Sequence, residues 1–199
     1  MFSPSINNLI GAFKRLPTVG QKTAERYVFY LLKSGKKEVA ELTLALKELI
    51  ANVKSCEVCW NFSDISPCRI CQDKHRDQSL LCVIRESQDI PVIEKTKEYN
   101  GLYHILRGVI TPEDVEEIKN LKIKELLLKI KKSDDKLKEI ILAFNPDLAG
   151  ETTVMYLQKE IKNINPKLKI SRLARGLPMG SDLQYADEIT LGSALKNRT

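Results

Sequence analysis

Cys56-x-x-Cys59, an interval of eight residues, and then Cys68-x-x-Cys71 restrict this chain more than any other feature of its sequence. Two tight turns each present two sulfurs, and the loop between them folds back to complete a tetrahedron, which is the layout of a four-thiolate zinc site. Ordinary buried cysteines or a redox Cys-x-x-Cys pair are the rival readings, but neither needs all four spacings at once. Four protein ligands close the coordination sphere, so the expected zinc is a single structural ion with no open position for water or substrate. Such a centre lowers the formal charge of +6 by two, and Lys54, Arg69 and Lys74 lie close by in sequence to balance it. Cys82 stands apart in an apolar run and reads as a small core residue.

Five cysteines form an odd set that does not suit a disulfide framework. The opening MFSPSINNLIGAFKRL lacks the layout of a signal peptide, and no apolar run approaches the roughly 18 residues of a membrane span. The expected location is the cytoplasm. Thirty-two Lys and Arg against 26 Asp and Glu, with a pI near 9.0, suit a polyanionic partner without demanding one.

Residues 5 to 54 carry apolar positions at helical spacing: Ile6, Leu9, Ile10 and Phe13, then Ala24, Tyr27, Val28 and Leu31. Between them lies Leu16-Pro17-Thr18-Val19-Gly20, where Pro17 is expected to end one helix and Gly20 to permit a tight turn. The second helix then starts with free backbone N–H groups, and Lys22 and Arg26, four apart, share one face. Val19, Gly20, Lys22 and Arg26 are therefore candidate contacts to a phosphate backbone, read without regard to base sequence. The segment matches a helix-hairpin-helix, in which Thr18 stands where Gly is usual, so a stiffer or differently shaped turn is expected. A plain helical hairpin with a solvated charged face is the alternative. A third helix, from about Lys37 to Val53, has the apolar stripe Val39, Leu42, Leu46, Leu49 and Ile50.

From Ser79 short apolar runs (LLCVI, GLYHIL, EIILAF, LKISRLA) alternate with amphipathic stretches, which predicts a mainly parallel α/β sheet. The stretch KIKKSDDKLKE, 129 to 139, reads as too polar for a core and as the close of a helix. Neither His75 nor His104 has a nucleophile motif around it, and GLPMGSD lacks the Lys-Ser or Lys-Thr of an ATP loop, with Pro178 marking a turn.

The order of these modules resembles the bacterial recombination mediator family RecR. The segments LPTVGQKTAERY (16 to 27), EYNGLYHIL (98 to 106), FNPDLAGE (144 to 151) and ARGLPMGSDLQYADEITLGSAL (174 to 195) carry the resemblance over essentially the full chain. It implies a helical helix-hairpin-helix domain (1–54), a four-cysteine zinc finger (55–78), a Toprim α/β domain (79–174) and a C-terminal segment for oligomer contact (175–199). In Toprim enzymes magnesium is held by a Glu after the first strand and an Asp-x-Asp after a later one. Here those positions read Arg85, with Glu86 beside it, and Asn145-Pro146-Asp147. An Arg repels a divalent cation and Asn145 is a weaker ligand, so catalytic magnesium is not expected. Glu86, Asp147 and Glu151 remain candidates for weak magnesium or for an acidic partner face. The resemblance associates that face with RecO, although Ala149 stands where relatives often carry an acid.

The implied function is a non-catalytic, sequence-independent DNA-binding mediator of repair. It would act with RecO and RecF to load recombinase on single-stranded DNA, as a homodimer or as a ring-shaped homotetramer that clamps DNA on the nucleoid. A magnesium-dependent Toprim enzyme using Glu86, Asp147 and Glu151, or a pure interaction scaffold, are the competing classes.

Overall fold

A computed structural model describes residues 2–111, 118–133, 136–174, 176, 177, 179, 180, 182–196 and 198. The chain divides into two compact units, Met1–Val53 and Lys54–Thr199.

The first unit is three helices. α1 (Pro4–Phe13) starts where the Ser3 hydroxyl accepts from the Ile6 N–H at 3.4 Å, with Pro4 in the first turn, where it gives up no helical hydrogen bond. α2 (Gln21–Ser34) lies against it, and Ile10, Ala24 and Val28 are buried between them with Ile6, Phe13 and Val19 packed around. Ala24 is fully buried, so a larger side chain there would force the helices apart. Gly35, at a φ of 94° that favours glycine, is the single link to α3 (Lys36–Asn52). α3 buries none of its residues, and the expected stripe from Val39 to Ile50 is exposed.

The turn between α1 and α2 departs from expectation in two ways. α1 ends at Phe13, well before Pro17, by tightening: Arg15 N–H donates to Ala12 and Leu16 N–H to Phe13. Leu16 to Val19 then form a β-turn, closed by Val19 N–H to Leu16 O at 3.2 Å, with Pro17 second and Thr18 third. The left-handed residue is Thr18, at φ 66°, whereas Gly20 is extended at φ −83°. A positive φ at the third position is the type II pattern, which Pro at the second position favours.

In the second unit a two-stranded antiparallel ribbon, β1 (Lys54–Ser55) with β2 (Phe62–Ser63), and the short α4 (Arg69–Gln72) carry the cysteines. The sheet follows: β3 (Asp77–Ile84), β4 (Gly101–Ile105), β5 (Glu139–Ala143) and β6 (Lys169–Arg172), all parallel, in the order β4-β3-β5-β6. Between strands run α5 (Asp89–Thr96), α6 (Ile123–Lys132) and α7 (Leu148–Ile164), and α8 (Glu188–Lys196) lies near the C-terminus. Both faces of the central strands are covered, which is why they read as unbroken apolar runs. Leu81, Val83, Ile140 and Leu142 pack with α6 and α7. Cys82, Ile84, Ile141 and Ala143 pack with Ile90 of α5 and with the zinc cysteines on the other face.

The stretch 129 to 139 closes a helix at Lys132, as expected, but it is not too polar for the core. Ile130 extends the buried face of α6, Leu137 is buried ahead of β5, and the Lys129 ammonium is itself out of solvent. Charge density along the chain concealed a helix face and the approach to a strand. Asp134 and Asp135 in that stretch, and the turn expected at Pro178, lie outside the described residues. Among the described residues no helix is long and apolar enough to cross a membrane.

Candidate functional site

The four cysteine sulfurs lie within 4.8 Å of one another. Cys59 Sγ is 3.6 Å from Cys68 Sγ and Cys56 Sγ is 3.9 Å from Cys71 Sγ. A tetrahedral ion with Zn–S bonds of about 2.3 Å sets its sulfurs about 3.8 Å apart, so the spacing fits zinc. The first knuckle is built by backbone bonds, Trp60 N–H to Cys56 O and Cys56 N–H to Asn61 O, with Trp60 at φ 68°. The second is the start of α4 rather than a free turn, and Cys68 N–H points at Cys56 Sγ, 3.3 Å away.

Electrostatics favours a cation among these sulfurs. A hydrogen bond from Cys71 pulls Cys59 down to about 5 against the opposing effect of burial. The same bond pushes Cys71 up, and burial pushes Cys68 up to about 11. Four adjacent thiolates need a metal ion to keep all of them charged. Cys82, pushed up to about 12 by burial, belongs to the core as expected.

The centre is bound into the sheet at its β4 edge. Ile105 N–H donates to Cys59 O at 2.9 Å, which occupies a backbone group that an edge strand would otherwise present to solvent. Arg107, at φ 65°, lays its guanidinium 4.4 Å from the Phe62 ring and 5.9 Å from Trp60, and donates to Ser55 Oγ at 2.6 Å and to Trp60 O. Lys122 places its ammonium 4.2 Å over the Trp60 ring. Lys54, Arg69 and Lys74, the cations expected near the centre from sequence, are all exposed, and Lys129, whose ammonium is out of solvent, is a further cation influenced by the four cysteines. Arg107, Lys122 and Lys129 left no signal in the sequence, because each meets the cysteine segment across a long loop.

At the start of α2 no side chain caps the helix, and the first intrahelical bond is Ala24 N–H to Gly20 O. The N–H groups of the first turn are thus open to an anion. Lys22 and Arg26 are exposed, and neither forms an ion pair among the described residues; Glu25 is taken by Gln21 Nε2 at 2.6 Å. Val19 differs from the other three candidates because its N–H is already donated to Leu16 O. Lys14 and Arg15, exposed at the end of α1, add two cations to this loop that the motif reading passed over.

The three acids are placed at the carboxyl ends of β3 and β5, beside the point where successive crossovers leave in opposite directions. Each is engaged. Arg85 Nε lies 3.0 Å from Glu86, Asp147 caps α7 by accepting from Gly150 N–H at 2.7 Å, and Arg172 lies 3.0 Å from Glu151. The close packing of this loop needs Gly150, since a β-carbon there would overlap the Asn145 carbonyl oxygen. Asn145 and Glu151 border a cavity of about 620 Å³ with Arg172 and Asp187, and Arg85 borders a second of about 190 Å³. Among the described residues, the only cluster of three or more close His, Cys, Asp or Glu ligands is the four cysteines.

His104 is fully buried in β4, with Nε2–H donating to Lys122 O at 2.7 Å. Burial holds it at about 4 against an ordinary 6.5, and of the charges around it Lys129 lowers and Glu125 raises it. The unfolded chain therefore takes up a proton that the folded one refuses between those two values. Stability is full above pH 6.5 and falls as pH drops toward 4, by about 3 kcal/mol in total. Urea unfolding over that pH range should show a shallower acid loss in His104→Gln than in the parent. Parallel curves would assign the loss to other groups.

A helical hairpin with an open helix start, a four-cysteine metal centre and a parallel α/β half are thus joined in one chain. Comparison with known families gives the same modules in the same order. Residues 6–50 match the RecR helix-hairpin-helix, 53–73 the RecR four-cysteine zinc finger domain, 79–174 the Toprim domain and 176–199 the RecR C-terminal region. The chain is 46% identical over 199 residues to the recombination protein RecR of Moorella thermoacetica, covering 100% of this chain and 98% of that one. It is 43% identical over 197 residues to the RecR of Bifidobacterium longum subsp. infantis, covering 99% and 96%. The chain belongs to the RecR family of recombination proteins. Its role lies in recombination and repair, and its four cysteines are a structural zinc site.

Proposed function

We propose that this chain is a non-catalytic mediator that binds DNA without regard to sequence and works with RecO and RecF to load recombinase onto single-stranded DNA. The observation that carries the reading is the open start of α2, where exposed Lys22 and Arg26 flank the uncapped N–H groups of Gly20 and Gln21. A helix N-terminus with two unpaired cations takes a phosphate from any nucleotide. In this reading the roles fall to four segments, 1–54, 55–78, 79–174 and 175–199, a finer division than the two compact units. The α2 start is the contact to DNA, and the face around Glu86, Asp147 and Glu151 is the contact to RecO.

Assembly into a homodimer or ring-shaped homotetramer is supported by apolar surface at both ends of the chain. Leu42, Leu46, Leu49 and Ile50 of α3 are exposed, as are Leu183, Tyr185 and Ile189 near the C-terminus. Such a clamp would act in the cytoplasm on the nucleoid. Non-catalytic action is supported by the engagement of each Toprim acid with a cation or a backbone N–H.

The test is a gel-shift series on unrelated duplexes from low to physiological salt, with the oligomer mass measured in parallel. Log affinity should fall linearly with log salt, alike for every sequence. Absence of binding by a zinc-loaded multimer would overturn direct DNA contact and leave the chain as an adaptor.

A further inference from the structure

Among the described residues three buried side-chain nitrogens lack a hydrogen-bond partner: Arg76 Nε, His104 Nδ1 and Lys129 Nζ. Two are readily accounted for. Arg76 meets Glu94 through both Nη atoms, at 2.9 and 2.5 Å, and a neutral imidazole leaves one nitrogen without a proton. Lys129 is the exception, because an ammonium withdrawn from water with no acceptor is costly to hold unless a negative charge stands near it.

Its surroundings identify that charge. Lys122 is the residue that precedes α6, and Lys129 lies in the second turn of that helix. Lys122 sits on Trp60 of the first cysteine knuckle, and Lys129 lines a cleft of about 480 Å³ with Glu57, Val58 and Trp60 of the same knuckle. Glu125, one turn back, is committed to Lys122 at 3.1 Å. Burial lowers the Lys129 ammonium, and the influences opposing it are Cys71 first, then Cys59, Cys56 and Cys68.

We propose that Lys129 is the outer-sphere counter-cation of the zinc centre. Four thiolates around a divalent ion carry a net charge of −2, and one buried ammonium in the same cleft halves it through its charge alone. A cation beside a thiolate withdraws electron density from it, so protons, oxidants and competing metals attack it more slowly. Lys129 thereby sets how firmly the metal is held and fastens α6 to the knuckle. The inference rests on the four cysteines binding zinc, which a metal analysis of the parent protein checks separately.

The experiment uses the full chain in two metal forms. With zinc, transfer to a chromogenic chelator is timed for the parent, Lys129→Met, Lys129→Arg and Lys132→Met, the last being an exposed lysine of the same cleft. Lys129→Met should release zinc about tenfold faster or more, with Lys129→Arg intermediate and Lys132→Met at the parent rate. With cobalt in place of zinc, the sulfur-to-metal charge-transfer band should move to lower energy in Lys129→Met alone, because its sulfurs are richer in electrons. Faster release with an unmoved band would mean that Lys129 only packs, and would overturn the proposal. Parent behaviour in both readouts would overturn it equally. If Lys129→Met does not accumulate as folded protein, Lys129→Gln is read by the same two criteria.

Discussion

Protein stripped of zinc is expected to lose protection from proteases over Lys54–Asp73 and along β4, while the helices of Met1–Val53 stay folded. Cys56, Cys59 and Cys68 are at most 2% exposed and share one apolar cluster with Cys82, Ile84, Tyr103 and Ile105. Zinc held by small four-ligand modules stabilises them by about 10–16 kcal/mol near neutral pH, comparable to the whole stability of a typical domain at about 5–15 kcal/mol. Without the ion, four crowded sulfurs must take up protons or separate, and the bond from Ile105 N–H to Cys59 O goes with them. Limited proteolysis and hydrogen exchange, with and without chelator, locate the loss. Equal protection of both segments in the two states would show that packing alone holds the knuckles.

Lys22→Ala combined with Arg26→Ala is expected to cut DNA affinity by well over tenfold near 0.1 M salt, leaving helical content and oligomer mass unchanged. Both side chains are exposed and unpaired among the described residues, so truncation removes phosphate contacts without opening the core of Ile10, Ala24 and Val28. Each lost contact should also reduce the salt slope by about one per chain. In a multimer the same contacts recur on one DNA molecule, so the loss compounds beyond that of two surface charges. Unchanged retention at matched salt and intact oligomer state would remove this interface. In that case Lys14 and Arg15, at the other side of the loop, become the residues to replace.

The features that were legible in the sequence are those whose cause is local. Four cysteines at fixed spacing impose a metal centre whatever surrounds them, and strands covered on both faces leave apolar runs that mark a parallel sheet. The helical hairpin was legible for the same reason, and so was Thr18 as the residue standing where the motif usually has Gly. The turn from Leu16 to Val19 gives Thr18 the left-handed conformation that glycine adopts most readily, and leaves Gly20 extended. The supports of the zinc centre were illegible because they are distant in sequence. Arg107 reaches Ser55 across 52 positions and Trp60 across 47. Lys129 was hidden among charged neighbours, and only folding shows that α6 turns it inward.

The seating of the first knuckle on β4 has a bearing on how this protein fails. A parallel sheet has two outer strands, and one with free backbone groups is a template on which another chain can lay a strand of its own. At β4 that template is capped by a cysteine carbonyl, so metal starvation or thiol oxidation uncovers an adhesive border as well as loosening a small module.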